Sequence, residues 1–135
     1  TTMIVTYLAT LDRLAEEAYA NKSIFSVDLA DYANLKLSTD YLKAAKLDTP
    51  SLTHECFDTI AQLIQEMGTD GMEEIILHII CNGDHSSETA SDGINLMARL
   101  TQEFVPNTCV LYGVSANDST ESSFTILLIA GYLEK

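Results

Sequence analysis

The first part of the chain alternates apolar and polar positions with the period of a helix. Apolar side chains recur every three or four residues from Ile4 to Ala18, with acidic and basic side chains between them. This pattern predicts one amphipathic helix over 3–20. It ends near Asn21, because asparagine tolerates the left-handed conformation that often terminates a helix.

A second, shorter helix is predicted from the stretch SVDLADY, residues 26–32. Asp28 suits the N-cap position, where its carboxylate accepts hydrogen bonds from the first backbone amides of a helix. Asp31 then falls three residues later, where negative charge favours the positive end of the helix dipole. We therefore expect a helix from about residue 29 to 37.

The next segments predict a strand, a helix and a second strand. Residues 41–48 alternate weakly and favour a strand, although a helix is a competing interpretation. Thr49-Pro50 is a typical helix start, and the apolar stripe that follows ends at Gly68. The unbroken apolar run over 75–81 is typical of a strand that is covered on both faces.

The remaining residues predict one more helix and two more strands. Ser86 or Ser87 is a suitable cap for a helix that Pro106 ends. Residues 108–114 then favour a strand, residues 116–119 a turn, and the alternation from Phe124 onward a long final strand.

These elements predict a mixed α/β (α+β) fold. After the two helices, the order is β-α-β-α-β-β. Two crossover helices indicate parallel pairing of the first three strands, and the last two strands are expected to form an antiparallel hairpin. The predicted architecture is a two-layer sandwich with a four-stranded mixed sheet, preceded by the end of a long helix and a short helix.

Composition and charge limit the classes of partner. Apolar residues make up 47% of the chain and charged residues 20%, as in ordinary globular domains. The net charge of −13 argues against nucleic acid or anionic lipid as the main partner, since both attract Lys and Arg. No apolar run is long enough for direct membrane insertion. Three separated cysteines fit a reducing cytoplasm.

Few residues indicate chemistry of their own. The sequence lacks both common glycine-rich phosphate loops. The histidines do not have metal-ligand spacing, and no metal site is predicted; they are His54, His78 and His85. Asp84, His85 and Glu88 favour a polar loop that caps a helix over a metal site. His78, inside a predicted strand, is expected to be a core histidine. The three cysteines are also expected in the core: Cys56, Cys81 and Cys109.

Asp28 and Asp31 allow two interpretations. They can cap a helix, as described above, and this is the favoured interpretation from the residues alone. Two carboxylates at this spacing can also polarise a water molecule, or order one beside a metal-bound phosphate.

Several phrases, taken in order, resemble the C-terminal half of the FtsZ/tubulin family of GTP-driven filament proteins. SVDLADY resembles the family's N-V-D-F-A-D-V loop, which follows a long central helix. IILHIICNGD resembles the family's strand that ends in a polar-glycine turn. The stretch TCVLYGVSANDSTESSFTILLIAG resembles its closing hairpin. The resemblance covers nearly the whole chain from Met3.

The resemblance implies a domain division and a composite site. Residues 1–22 would be the end of the connecting helix, and 23–135 the C-terminal sandwich domain. In that family one protomer binds GTP, and the next inserts this loop to orient the attacking water. Asp28 and Asp31 would be the catalytic acids, acting on a neighbouring subunit's GTP. The subunit interface would include Ser26, Val27 and Leu29.

The resemblance also implies what this chain lacks. The family's phosphate loop, G-G-G-T-G-T-G, does not occur in these 135 residues. We therefore expect no cofactor within this chain and no enzyme activity by it alone, with GTP and Mg²⁺ held by the partner domain. The expected partner is the nucleotide-binding domain of an FtsZ-like protein, or another copy. The implied setting is polymerisation in cytoplasmic cell division.

Two alternatives remain open. The chain could be a stand-alone interaction or structural module that has lost the GTPase-activating role, because Ser26 stands where the family has Asn. It could instead be a chorismate-mutase-like small enzyme or ligand-binding protein. Such sites usually need arginine to hold carboxylate substrates, and this chain offers only Arg13 and Arg99.

Overall fold

The computed structural model describes residues 3–5, 11–13, 16, 22–23, 29–50, 54–83, 93, 95, 98–99, 108–117 and 123–134. Within them lie the strands β1 (Met3–Val5), β2 (Lys22–Ser23), β3 (Tyr41–Thr49), β4 (Met72–Asn82), β5 (Cys109–Asn117) and β6 (Ser123–Tyr132), and the helices α1 (Leu29–Ser38) and α2 (His54–Met67). Helical backbone also occurs at residues 11–13, 16, 93, 95 and 98–99.

The described strands form one sheet in the order β1-β3-β6-β4-β5-β2. The β4 and β5 strands pair in parallel, and the other pairs are antiparallel. It follows that β3, β4 and β5 share one direction, whereas β6 runs against them between β3 and β4. The carboxyl ends of β3, β4 and β5 therefore lie at the same end of the sheet.

The predicted mixed α/β fold is confirmed. The four long strands, β3 to β6, make the mixed sheet, and α2 forms the second layer. The short helix expected over 29–37 is α1, and the strand expected over 41–48 is β3. Two short strands, β1 and β2, add to the edges of this sheet without having been predicted.

The predicted pairing of the strands was wrong in two respects. The last two strands do not form a hairpin, because β4 lies between β5 and β6. The strands β3 and β4, which were expected to pair in parallel, are separated by β6. Burial explains the order: residues 124–132 of β6 are buried throughout, which suits the middle of a sheet, whereas Cys109 at the start of β5 is exposed.

Three local predictions also need correction. Residues 3–5 form an edge strand against residues 44–46 of β3, although they were expected in a helix. A segment of three residues is too short to distinguish the helical period from the strand period, and its pairing with β3 makes it a strand. Thr49 ends β3, and α2 begins at His54 rather than at Pro50. Ala116 and Asn117 belong to β5 and not to a turn. Residues 118–119 and most of the helix predicted after Ser86 lie outside the described residues.

Each face of the sheet carries its own apolar cluster. The larger cluster joins α2 to one face and includes Phe57, Ile60, Ile64, Met67, Ile75, Leu77, Ile79, Ile126 and Leu128. The smaller cluster joins the opposite face to α1 and to Leu11, and includes Tyr32, Leu35, Leu42, Ile76, Ile80, Leu127 and Ile129. On the second face, the described cover therefore consists of α1 and Leu11.

Candidate functional site

The structure describes part of the stretch SVDLADY. Leu29 is the first residue of α1, and Asp31 lies half-buried in its first turn. This is the position in which a carboxylate stabilises a helix. The other predicted site residues, Ser26, Val27 and Asp28, lie outside the described residues.

The orientation of α1 is fixed by a polar contact that sequence reasoning missed. The buried Tyr32 donates a hydrogen bond from its hydroxyl to Asp12 Oδ1 over 2.6 Å. Lys36 Nζ lies 3.0 Å from the same oxygen and 4.9 Å from the centre of the Tyr32 ring. These contacts tie α1 to the helical backbone at residues 11–13. Tyr32 and Lys36 lie 20 and 24 positions from Asp12 in the sequence, so no local pattern could reveal these contacts.

The same contact changes the electrostatics of Asp12. The hydrogen bond from Tyr32, and then that from Lys36, hold the pKa of the Asp12 carboxyl below its usual value of 3.8. Asp12 therefore stays ionised at neutral pH and keeps its attraction for Lys36. Its environment is partly solvated, so we regard the pair as an orienting contact more than a large source of stability.

A close approach between α1 and β6 completes this arrangement. Gly131 faces α1, and a Cβ atom there would lie 2.7 Å from Leu35 Cδ1 and 2.7 Å from Thr39 Cγ2. Thr39 in turn donates from Oγ1 to the Leu35 carbonyl over 2.7 Å. The lack of a side chain at Gly131 lets the end of α1 lie directly on the sheet.

His78 is a core histidine, as predicted. It is 1% exposed, and its Nε2 lies 2.9 Å from the hydroxyl of Ser115 on the neighbouring strand. Burial lowers the pKa of His78 from 6.5 to about 4, so the imidazole is neutral at physiological pH. This position inside the sheet gives it a packing and hydrogen-bonding role.

The burial of the three cysteines differs from the prediction for one of them. Cys56 and Cys81 are buried, as expected, but Cys109 is exposed, so its predicted place in the core was wrong. Cys109 opens β5, and the described partner strand on the outer side, β2, reaches only Ser115 and Ala116. The start of β5 therefore lacks a described cover. Within the described ranges, no three His, Cys, Asp or Glu side chains are grouped to hold a metal ion.

A polar network crosses the carboxyl end of the sheet. Thr125 on β6 donates to Asp48 on β3 over 2.7 Å, and Asn82 on β4 donates to Thr125 over 3.0 Å and to Ser123 over 3.1 Å. Beside it, a recess of about 320 Å³ is lined by Leu47, Asp48, Thr49, Pro50, Glu55, Cys56 and Thr59. The network holds three strand ends together.

Among the described residues, neither helix has the length and apolar character needed to cross a membrane.

No family model matches the chain, and no curated protein matches it either. Solved structures do. An FtsZ dimer, empty, from M. jannaschii matches with a TM-score of 0.57 and 16% identity, over 93% of this chain and 40% of that one. The W319Y mutant of FtsZ from M. jannaschii matches with a TM-score of 0.59 and 15% identity, over 96% of this chain and 42% of that one.

These matches show the fold. The chain spans about two-fifths of the length of the FtsZ chains that it matches, and nearly all of it is used in the match. The resemblance expected from the sequence is thereby confirmed at the level of architecture, and it is consistent with a C-terminal FtsZ-like domain. With the strand order and the anchored α1 already described, this chain is an FtsZ-like α/β domain in fold.

Proposed function

We propose that this chain acts as the C-terminal domain of an FtsZ-like filament-forming GTPase. In this role it contacts the next subunit and donates Asp28 and Asp31 to that subunit's GTP site. The observation that supports the proposal is the match of almost the entire chain to about two-fifths of FtsZ at the level of fold. Asp31 lies in the first turn of a helix whose position is held by two separate contacts, so the acid itself has a defined place on the fold.

The chemistry would consist of positioning. In phosphoryl transfer most of the catalytic effect comes from placement and charge stabilisation, with a separate group that orients the attacking water. GTP and Mg²⁺ would be held by the partner, because this sequence lacks a glycine-rich phosphate loop. Asp28 and Asp31 would supply the water-orienting part across the subunit boundary, and Ser26, Val27 and Leu29 would border the contact.

Charge and the matched proteins suggest the kind of partner. The net charge of −13 suits a basic surface on the partner, which would raise the rate of association. One of the matched structures is an FtsZ dimer. We therefore place the partner among nucleotide-binding domains of FtsZ-like proteins, with self-association as the second case. Such a role belongs to polymerisation in a dividing cell's cytoplasm.

The test is a mixing experiment. This chain is added to an FtsZ nucleotide-binding domain with GTP and Mg²⁺, and phosphate release is measured against the concentration of chain. We expect stimulation, and we expect Asp28→Ala with Asp31→Ala to abolish it. The matched control is Asp58→Ala with Glu66→Ala, which removes two exposed acids from α2 on the other face of the sheet. Lack of stimulation, or equal stimulation by both double variants, would refute the proposal.

A second candidate is an interaction module that has kept the fold and lost the activating role. Ser26 favours it, because serine replaces the family's asparagine, whose amide both donates and accepts hydrogen bonds. The same mixing experiment separates the two. Binding to the nucleotide-binding domain without any change in phosphate release is the result expected for this candidate, and Ser26→Asn is then the variant to test for restored turnover.

A further inference from the structure

A recess lies at the amino end of β3, at the opposite end of α1 from Asp31. It has a volume of about 580 Å³ and is lined by Tyr41, Asp70, Gly71, Leu133 and Glu134. Asp31 and Ser38 are seven residues apart along α1, which puts about 10 Å between the first turn and this end. The recess is therefore distinct from the loop that the proposed function uses.

Exposed apolar side chains gather at this end of the sheet. Among the described residues, the large hydrophobic side chains that remain exposed are Leu37 (86%), Tyr41 (41%) and Leu133 (40%). Tyr41 and Leu133 line the recess itself, and Leu37 lies in the last turn of α1, four residues before Tyr41. Single exposed apolar residues are ordinary, but two that line the same recess form a candidate contact surface.

The walls of the recess are fixed by the backbone. Leu133 donates its amide to the Gly71 carbonyl over 2.9 Å, and Glu134 donates its amide to Asp40 Oδ2 over 2.6 Å. Gly71 has a positive φ of 80°, and a Cβ there would lie 2.8 Å from the Leu133 carbonyl oxygen. The recess thus exists before any partner binds, so little ordering of the chain would oppose binding.

An aromatic ring and two carboxylates line the same recess. The Tyr41 ring stacks on Tyr132 with a centroid distance of 5.0 Å and an interplanar angle of 6°, which holds the ring in one orientation. Asp70 and Glu134 are exposed acids in the lining. Lys43, the cation two residues along β3, is directed to the Met67 carbonyl at 2.7 Å. The recess therefore combines a fixed ring, an apolar wall and negative charge.

We infer that this recess binds a basic segment of a partner protein, with an arginine or lysine side chain as the central contact. The cationic group would lie against Tyr41 and between the carboxylates of Asp70 and Glu134, while its methylene groups would cover Leu133. A second copy of this chain is a poor occupant of this recess, because it offers only 7 basic side chains against 20 acidic ones. The inference does not depend on the proposed GTPase-activating role.

The probe is the peptide acetyl-Gly-Leu-Arg-Leu-Arg-Gly-amide, titrated into the ¹⁵N-labelled full chain to about 5 mM. A control peptide carries citrulline in place of both arginines, which keeps the shape and removes the charge. We expect the amide signals of Gly71, Leu133 and Glu134 to shift with the arginine peptide, and to shift little with the citrulline peptide. Equal shifts with both peptides, or no shifts at these amides, would overturn the inference.

Isosteric variants test the carboxylates. Asp70→Asn with Glu134→Gln should raise the dissociation constant about fivefold, whereas Asp58→Asn with Glu66→Gln removes the same charge from α2 and should change it less than about twofold. Tyr41→Leu, which keeps an apolar wall, should raise it about two- to fivefold through loss of the aromatic face. Equal weakening by the two acid double variants would show a general charge effect and refute a specific recess. Analytical ultracentrifugation of the chain alone provides a further check on the occupant. If the original chain is a dimer and the Asp70→Asn, Glu134→Gln variant is a monomer, a second copy occupies the recess and the inference is overturned.

Discussion

Replacing Gly131 with alanine would insert a methyl group between β6 and the end of α1. The new Cβ would lie 2.7 Å from Leu35 Cδ1, 2.7 Å from Thr39 Cγ2 and 2.8 Å from Thr39 Oγ1. All three distances are shorter than van der Waals contact. Leu35 is fully buried and Thr39 is bonded to the Leu35 carbonyl, so neither side chain can move aside cheaply. Overpacking of this kind costs about 1–3 kcal/mol, and we expect Gly131→Ala to lower the free energy of unfolding by that amount.

Urea denaturation followed by circular dichroism measures this change, and a double-mutant cycle identifies its cause. Leu35→Ala alone should cost about 2–5 kcal/mol, because it leaves a cavity under α1. The two changes together should cost less than their sum by about 1 kcal/mol or more, since the methyl group of Ala at position 131 would occupy part of that cavity.

Two results would refute this reasoning. A stability for Gly131→Ala equal to that of the original chain would show that α1 does not lie directly on β6. Strict additivity in the cycle would show that the cost arises elsewhere than in the contact with Leu35.

Two further predictions concern pH and backbone conformation. The pKa of His78 is about 4 in the folded chain and 6.5 in the unfolded chain. Because the unfolded chain therefore binds a proton first as the pH drops, the free energy of unfolding should fall by up to about 3 kcal/mol between pH 6.5 and pH 4. His78→Gln should flatten that part of the curve of unfolding free energy against pH, and an unchanged slope would contradict the assignment. Gly68 and Gly71 both have positive φ, but a Cβ meets the Leu133 carbonyl only at Gly71 and meets nothing within 4 Å at Gly68. In urea denaturation Gly71→Ala should therefore cost about 1 kcal/mol more than Gly68→Ala, and equal costs would count against this geometry.

The elements that could be predicted are those whose signals are local. The apolar run over 75–81 belongs to β4, which is buried on both faces, and the short helix expected over 29–37 is α1. Gly68 ends α2 with a positive φ of 87°, as the sequence suggested. In each case the determining residues lie within one turn or one strand of the element, so periodicity and capping are sufficient.

The features that could not be predicted depend on distant residues. The insertion of β6 between β3 and β4 joins Thr49 to Phe124 and Cys81 to Phe124, pairs far apart in the sequence. No local pattern specifies such pairs. The contact of Asp12 with Tyr32 is of the same kind. For the candidate site, the sequence located Asp31 in a first turn, but the contacts that orient its helix could only be found in three dimensions.

In the proposed function, the acids of this chain act on a nucleotide held by another molecule. The most direct measurement is the maximal rate of phosphate release from an FtsZ nucleotide-binding domain that is saturated with this chain. Saturation separates activation from binding, because a variant that only binds more weakly reaches the same maximal rate. We expect Asp28→Asn with Asp31→Asn to reduce the stimulated rate by about 100-fold or more, because a group that orients the attacking water is lost. Asp58→Asn with Glu66→Gln should leave the rate unchanged. An undiminished maximal rate in the Asp28→Asn, Asp31→Asn variant would contradict the claim.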